Sequence, residues 1–409
     1  MTNNPAGERA RLLVLTSTFP RWEGDAEPGF VFDLCRRLVA EFDVTVLAPH
    51  AAGARRRETL AGMQVIRFRY GPERWEQLAY NGGIMANLRR NPFLYFMLPT
   101  FLLAQLFALL VLMRRLRPDA MHAHWFVPQG VVMAAAGCLG GKVPLTLCTA
   151  HGSDVSALRG RFWQRLRRWV ALRCDRVVAV SEAIRDRLVS EGSCDPGRVE
   201  VIPMGADLQD QFVPDGSPRS AAEILFVGRL VEGKGVDILL RALPAVLASQ
   251  PDAMLTLVGG GPERVRLASL AQQLGIELRV IFEGPVAHAS LAAFFRRAAL
   301  LALPSREEGF GLVLVEALGC GCPIVASDLP AIRNLLQDGQ AGRLFRIGDV
   351  DALSQALTEL LANGDARMAL AEQGRQHVLP RHDWSIAARR YASMLMPGAP
   401  AKEDGAGHA

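Results

Sequence analysis

The feature that most limits what this chain can become is a rhythm that runs through it twice. Short apolar runs at Leu12-Leu13-Val14-Leu15 and Val44-Thr45-Val46-Leu47 flank a helix-like stretch, Phe30 to Phe42. Further buried-strand candidates recur at 119–124, 144–149, 177–180 and 199–202. The rhythm restarts at Ile224-Leu225-Phe226-Val227. It continues through Met254 to Val258, Val280-Ile281-Phe282, Leu300 to Leu303 and Pro323 to Ala326, each followed by a helical pattern. Strand-length apolar runs alternating with helices predict parallel sheets covered on both faces. Two such domains suit 409 residues, which is too long for one ordinary core.

The expected division is a first Rossmann-like domain over 1–205 and a second over 221–380. Between them 206–220 is rich in Asp, Gln, Pro and Gly and short of apolar periodicity, as a linker and hinge would be. A helical segment over 381–397 is free to return to the first domain, and 398–409 reads as a disordered tail.

Charge separates the halves. Residues 1–205 hold 27 Lys/Arg against 18 Asp/Glu, and residues 206–409 hold 19 against 23. A basic first half suits an anionic membrane surface or a phosphorylated acceptor, while no nucleic-acid-binding module is evident. The stretch Arg159 to Arg176, with Phe162, Trp163 and Trp169, reads equally as a basic membrane-facing helix or as a solvated one. The seven cysteines are scattered without metal-ligand or disulfide spacing, which fits a reducing, cytoplasmic setting. Met1 to Arg11 lacks the apolar core of a secretory signal, so export by that route is not expected.

Phe93 to Met113 is apolar except at Pro99, Thr100 and Gln105, and arginine pairs flank it. Its length would cross a bilayer. A crossing would put the following strand on the wrong side of the membrane from its sheet partners, so a core-packed or membrane-surface helix is expected.

The motif with most chemistry runs from Pro304 to Ala317, after a strand and into a helix. Seven residues separate Glu308 from Glu316, with Gly309-Phe310-Gly311 between them. Glycines there let backbone N–H groups approach a phosphate at a helix N-terminus, where the dipole favours negative charge. A second junction, Gly228-Arg229-Leu230-Val231-Glu232-Gly233-Lys234-Gly235, nearly spells a P-loop, but Gly235 stands where a magnesium-binding Ser or Thr is required. His151-Gly152-Ser153-Asp154 puts a histidine at the carboxyl end of a first-domain strand, where open αβ sheets form their ligand crevice. His122 and His124 share one strand face, with no third metal ligand indicated, and read as strand-end residues.

The spacing of Glu308 and Glu316 around Gly309-Phe310-Gly311 resembles the E-x7-E motif of the GT4 glycosyltransferases. The trailing Gly321-x-Pro323 and the Val201 to Asp207 segment resemble that family as well. The resemblance covers nearly the whole chain and is most specific over 224–325. It implies the GT-B fold, two Rossmann-like parallel-sheet domains facing a central cleft. It also implies sugar transfer with retention from a UDP- or GDP-sugar to a lipid-linked or polysaccharide-precursor acceptor. No cofactor and no metal are expected, because Arg229 and Lys234 would grip the diphosphate. By the same resemblance Glu308 holds the donor sugar, Glu316 the ribose, and His151 faces the reaction centre with Asp154 behind it. Gly228, Gly309, Phe310 and Gly311 line the donor site, and Gly29, in the loop after the first strand, contacts the diphosphate or acceptor. Two rival readings are a nucleotide-sugar epimerase on the same scaffold and a non-catalytic nucleotide-sugar-binding subunit.

Overall fold

The computed structural model describes residues 9–25, 29–80, 83–139 and 144–396. The expected tail from 398 onward and Pro28 of the amino-terminal loop lie outside these residues. The chain divides into two compact units, Met1–Pro203 with Ala387–Ala409, and Met204–Ile386.

The first unit is built on strands β1 (Ala10–Leu15), β2 (Phe42–Pro49), β3 (Arg57–Leu60), β4 (Met63–Phe68), β5 (Ala120–His124), β6 (Leu145–Ala150), β7 (Arg176–Ala179) and β8 (Val199–Val201). They form one sheet in the order β3-β4-β2-β1-β5-β6-β7-β8. Every neighbouring pair is parallel except β3 with β4. The strand order reverses between β1 and β5, the position at which doubly wound sheets open a ligand crevice beyond the strands' carboxyl ends.

Strands β3 and β4 were not expected from the apolar runs, because charge interrupts both. Arg67 of β4 is wholly buried, its guanidinium held by Glu58 at 2.6 Å and by the carbonyls of Arg55 and Pro20 at 2.7 Å each. The apolar stretch before β5 resolves into a tight turn over Pro92–Phe96 and an α-helix over Met97–Leu116. The last helix, Trp384–Leu395, carries Tyr391. This ring stacks on His122 in the first unit with centroids 5.2 Å apart.

The second unit has β9 (Glu223–Val227), β10 (Met254–Val258), β11 (Val280–Gly284), β12 (Leu300–Leu303), β13 (Ile324–Ser327) and β14 (Arg343–Phe345). They form one parallel sheet in the order β11-β10-β9-β12-β13-β14. This is the doubly wound dinucleotide-fold order, with its reversal between β9 and β12. β9, β12 and β13 are buried along their whole length, as an all-parallel sheet requires. Residues 206–220, expected as a linker, pack into this unit. Leu208 and Phe212 are buried, and Arg296 donates to the carbonyls of Val213 at 2.7 Å and Gln211 at 2.9 Å.

Candidate active site

In the second unit, the loops leaving β9 and β12 run side by side at the strand-order reversal. Gly235 has φ +63°, and a Cβ added there would lie 2.1 Å from the carbonyl oxygen of Pro304. Only glycine allows the two loops to approach so closely. The contact is fastened by Arg306. Its backbone N–H donates to the Gly233 carbonyl at 2.8 Å, and its guanidinium grips both oxygens of Asp237 at 2.8 Å each. Arg306 in turn holds the Asp237 carboxyl below its usual range. The turn after β10 closes on the same loop: a Cβ at Gly259 would lie 2.0 Å from the Gly228 carbonyl, and Leu230 N–H donates to the Gly260 carbonyl at 2.8 Å.

The functional side chains stand on this braced backbone. Lys234 Nζ lies 2.5 Å from Glu308 Oε2, and both side chains are largely buried. Ser305 Oγ donates to the same oxygen at 3.5 Å. Gly311, with φ +87°, turns the chain into the helix Leu312–Gly319. Glu316, on the fifth residue of that helix, is buried, and its Oε1 pairs with His288 Nε2 at 2.8 Å. His288 comes from the turn after β11 and sets its ring 5.3 Å from that of Phe212. Phe310 is buried with its ring 5.6 Å from that of His382. Gly228 and the exposed Arg229 form the mouth of the β9 loop, and Gly309 lies between Glu308 and Phe310. The structure thus gathers Gly228, Arg229, Lys234, Glu308, Gly309, Phe310, Gly311 and Glu316 at the carboxyl ends of β9 and β12. A cation, glycine-lined turns and two carboxylates there can bind an anion together with vicinal hydroxyls.

The remaining expected residues lie in the first unit. His151 follows β6, and its Nε2 is 2.9 Å from Nδ1 of His124, the last residue of β5. Phe30 and Trp125 flank the His151 ring at 5.0 and 4.9 Å. Asp154 braces the turn from beneath: its carboxylate accepts from the backbone N–H groups of Phe126 at 2.8 Å, Gly152 at 3.0 Å and His151 at 3.2 Å. Burial raises the Asp154 pKa against the pull of those donors. His122 Nε2 lies 2.8 Å from Thr149 Oγ1. Burial lowers the pKa of His122 to about 3, with the charge of His151 as a second cause, and pushes His124 well down. His151 keeps one edge open to solvent, yet the packing around it lowers its pKa to about 3 as well. All three imidazoles are neutral at physiological pH. Gly29 stands at the N-cap of the helix Phe30–Leu38, and a Cβ there would meet only Asp33 Oδ2 at 3.7 Å, an ordinary contact, so sterics do not demand glycine there. Among the described residues, no group of three or more His, Cys, Asp or Glu is placed to hold a metal ion.

Two residues with a place in these sites had no role in the sequence reading. His124 was read as a strand-end histidine, and its position as the last residue of a strand beside the reversal was the usable signal. His288 carried none, since only the fold brings its turn to Glu316. One basic residue of the Arg159 to Arg176 stretch is not part of any membrane-facing surface. Arg167 is fully buried and donates to the Leu158 carbonyl at 2.9 Å and to Glu191 Oε2 at 2.5 Å.

Two doubly wound units, one carrying this anion-and-hydroxyl constellation, match the GT-B fold class. The family model for group 1 glycosyl transferases matches residues 209–377, and that for glycosyltransferase family 4 matches residues 30–210. A phosphatidyl-myo-inositol mannosyltransferase from Mycolicibacterium smegmatis is 34% identical over 276 residues, 66% of this chain and 69% of that protein. A D-inositol 3-phosphate glycosyltransferase from Corynebacterium kroppenstedtii is 35% identical over 239 residues, 54% of this chain and 52% of the relative, so this chain spans about half that relative's length. The chain belongs to glycosyltransferase family 4. Solved structures agree on the fold. Sucrose-phosphate synthase from Thermosynechococcus elongatus superposes with a TM-score of 0.77 at 23% identity, over 94% of this chain and 98% of that one. Anabaena HepE, in complex with UDP and glucose, gives 0.72 at 19% identity, over 95% and 99%.

Proposed function

We propose that this chain transfers a sugar, with retention of configuration, from a UDP- or GDP-sugar to a hydroxyl of a lipid-linked or polysaccharide-precursor acceptor. The observation that carries the reading is the 2.5 Å pairing of Lys234 with Glu308 on glycine-braced loops at the β9/β12 reversal. A donor diphosphate would take over the charge of Lys234 and leave Glu308 to the sugar hydroxyls. Arg229 and Lys234 would then stabilise the departing diphosphate without a divalent metal, which is the role fixed cations fill in preorganised sites. Glu316 would receive the ribose hydroxyls, and His151 would face the donor sugar. The inositol-bearing acceptors in the relatives' names favour a lipid-anchored polyol as acceptor. Such an acceptor would bring the enzyme to a membrane surface, which we take to be the cytoplasmic face.

The test is a thermal-shift panel of UDP, GDP, ADP and dTDP, with and without Mg²⁺, on the wild type and on Glu316→Ala. The reading expects one nucleotide to stabilise the wild type without metal and to lose its effect in the variant. Dependence on Mg²⁺, or no binding at all, would overturn it. Incubation with donor alone, followed by sugar analysis, separates transfer from epimerisation: a new sugar appearing without acceptor would favour the epimerase.

A further inference from the structure

Apart from Thr100 and Gln105, the helix Met97–Leu116 is apolar on two opposite faces up to its closing arginine pair. One face is spent on the fold: Phe101, Gln105, Leu109 and Leu112 are buried, and the Phe101 ring lies 5.1 Å from both Phe68 and Tyr70. The opposite face bears Leu103, 65% exposed, and Phe107, 71% exposed, one helical turn apart. The turn before the helix adds Phe93 and Phe96, 78% and 77% exposed, with Tyr95 beside them. A surface helix ordinarily turns polar residues outward, and a continuous exposed apolar stripe marks a binding surface.

We propose that this stripe is a docking face for an anionic lipid bilayer. Charge identifies the occupant. Arg89 and Arg90 precede the stripe, Arg114, Arg115 and Arg117 follow it, and all five are exposed. From Gln77 to Pro118 the sequence holds no Asp or Glu. Arginines at both ends of an apolar face reach lipid phosphates while their stems lie along the acyl boundary, and a tyrosine suits the headgroup level.

The segment is long and apolar enough to cross a membrane, but the sheet forbids it. β4 before the segment and β5 after it join the same sheet through β2 and β1, so both ends stay on one side. The buried stripe is also already committed to protein. The helix therefore lies in the interfacial plane, with Phe93, Phe96, Leu103 and Phe107 inserted. This deepens the proposed function by naming the surface that would bring the enzyme to a lipid-linked acceptor, and it requires nothing of the donor site.

The experiment is co-sedimentation of the full chain with vesicles of phosphatidylcholine alone and of phosphatidylcholine mixed with phosphatidylglycerol. Compared are the wild type, Phe96→Ser/Leu103→Ser/Phe107→Ser, and Arg114→Glu/Arg115→Glu. Circular dichroism and the nucleotide thermal shift monitor the fold, and light scattering reports oligomeric state. Expected is binding of the wild type to anionic vesicles, weakened by salt and lowered about tenfold or more in each variant. The thermal shift should be unchanged in both. A wild type that ignores both vesicles, or an apolar-face variant that binds as well as the wild type, overturns the proposal. So does a wild-type dimer that the apolar-face variant converts to monomer, since the stripe then covers a second copy. Failure of the donor reading registers separately, as loss of the nucleotide shift in a protein that still binds vesicles.

Discussion

His288 Nε2 lies 2.8 Å from Glu316 Oε1, and the imidazole that makes this contact rests against the ring of Phe212. A side chain as buried as Glu316 needs a hydrogen-bonding partner to offset the cost of leaving water. If Glu316 receives the ribose hydroxyls as proposed, His288 is the residue that positions it. His288→Ala is expected to raise the donor KM about 3- to 10-fold, the worth of one hydrogen bond, with kcat little changed. His288→Gln should recover part of the affinity. A fall in kcat at saturating donor with KM unchanged would refute this division of labour.

Lys234 and Glu308 form the other pair of the second unit, at 2.5 Å. Removing the cation leaves a largely buried carboxylate beside the proposed diphosphate site, where Lys234 would stabilise the leaving group. Lys234→Ala is expected to lower kcat/KM by about 100-fold or more, on the scale of losing one preorganised electrostatic contact. Lys234→Arg should retain part of it. Initial rates of transfer at varied donor concentration decide the matter, and near-wild-type turnover in Lys234→Ala would remove the lysine from the mechanism.

In the first unit, the 2.9 Å contact between His124 and His151 fixes the orientation of the His151 ring and couples the tautomers of the two. His124→Leu is expected to lower kcat about 10-fold while the nucleotide thermal shift is preserved, a positioning effect. Asparagine can place a polar atom near the original Nδ1, so His124→Asn should restore much of the rate. If leucine and asparagine prove equally harmless, His124 serves packing alone.

The histidine cluster also predicts how stability responds to acid. Burial lowers His122 to about 3 in the folded protein, below the ordinary value of about 6.5 in the unfolded chain. Between those values the unfolded chain binds more protons. The stability that neutral His122 contributes is therefore complete above about pH 6.5, falls by about 1.4 kcal/mol per pH unit below it, and is exhausted near the folded value. His124 acts in the same direction. His122→Gln should flatten the decline measured by urea unfolding between pH 7 and pH 5, and identical slopes for variant and wild type would show that His122 does not titrate in this way.

A substitution at Gly235 tests the bracing of the donor loops. Its left-handed backbone and the 2.1 Å approach of the Pro304 carbonyl leave no room for a methyl group. Gly235→Ala should cost about 2 kcal/mol or more, seen as a lowered unfolding midpoint together with a weakened nucleotide shift. A variant as stable as the wild type would mean that the loops separate at little cost.

Much of this was legible in the sequence because parallel sheets write themselves plainly: strands such as Leu300–Leu303 are buried on both faces and become uninterrupted apolar runs. The turns of the second unit are legible for a related reason, since close backbone approach at Gly235 and a left-handed φ at Gly311 favour glycine and leave both at fixed offsets from strand ends. Strands β3 and β4 were hidden because Arg67 is buried by pairing with Glu58 and two carbonyls rather than by being apolar. The segment 206–220 looked like a linker because its anchors, Leu208 and Phe212, are too few to show periodicity.

By itself the sequence determined the αβ alternation, its restart in a second domain, and the residues of the glutamate and lysine motifs, since these depend on local spacing alone. Only the tertiary structure decided which distant groups meet them. His288 on Glu316, His124 on His151, and the bare outer face of the helix Met97–Leu116 all depend on which strands become neighbours and which helix face the sheet consumes. Periodicity within one segment carries no information about either.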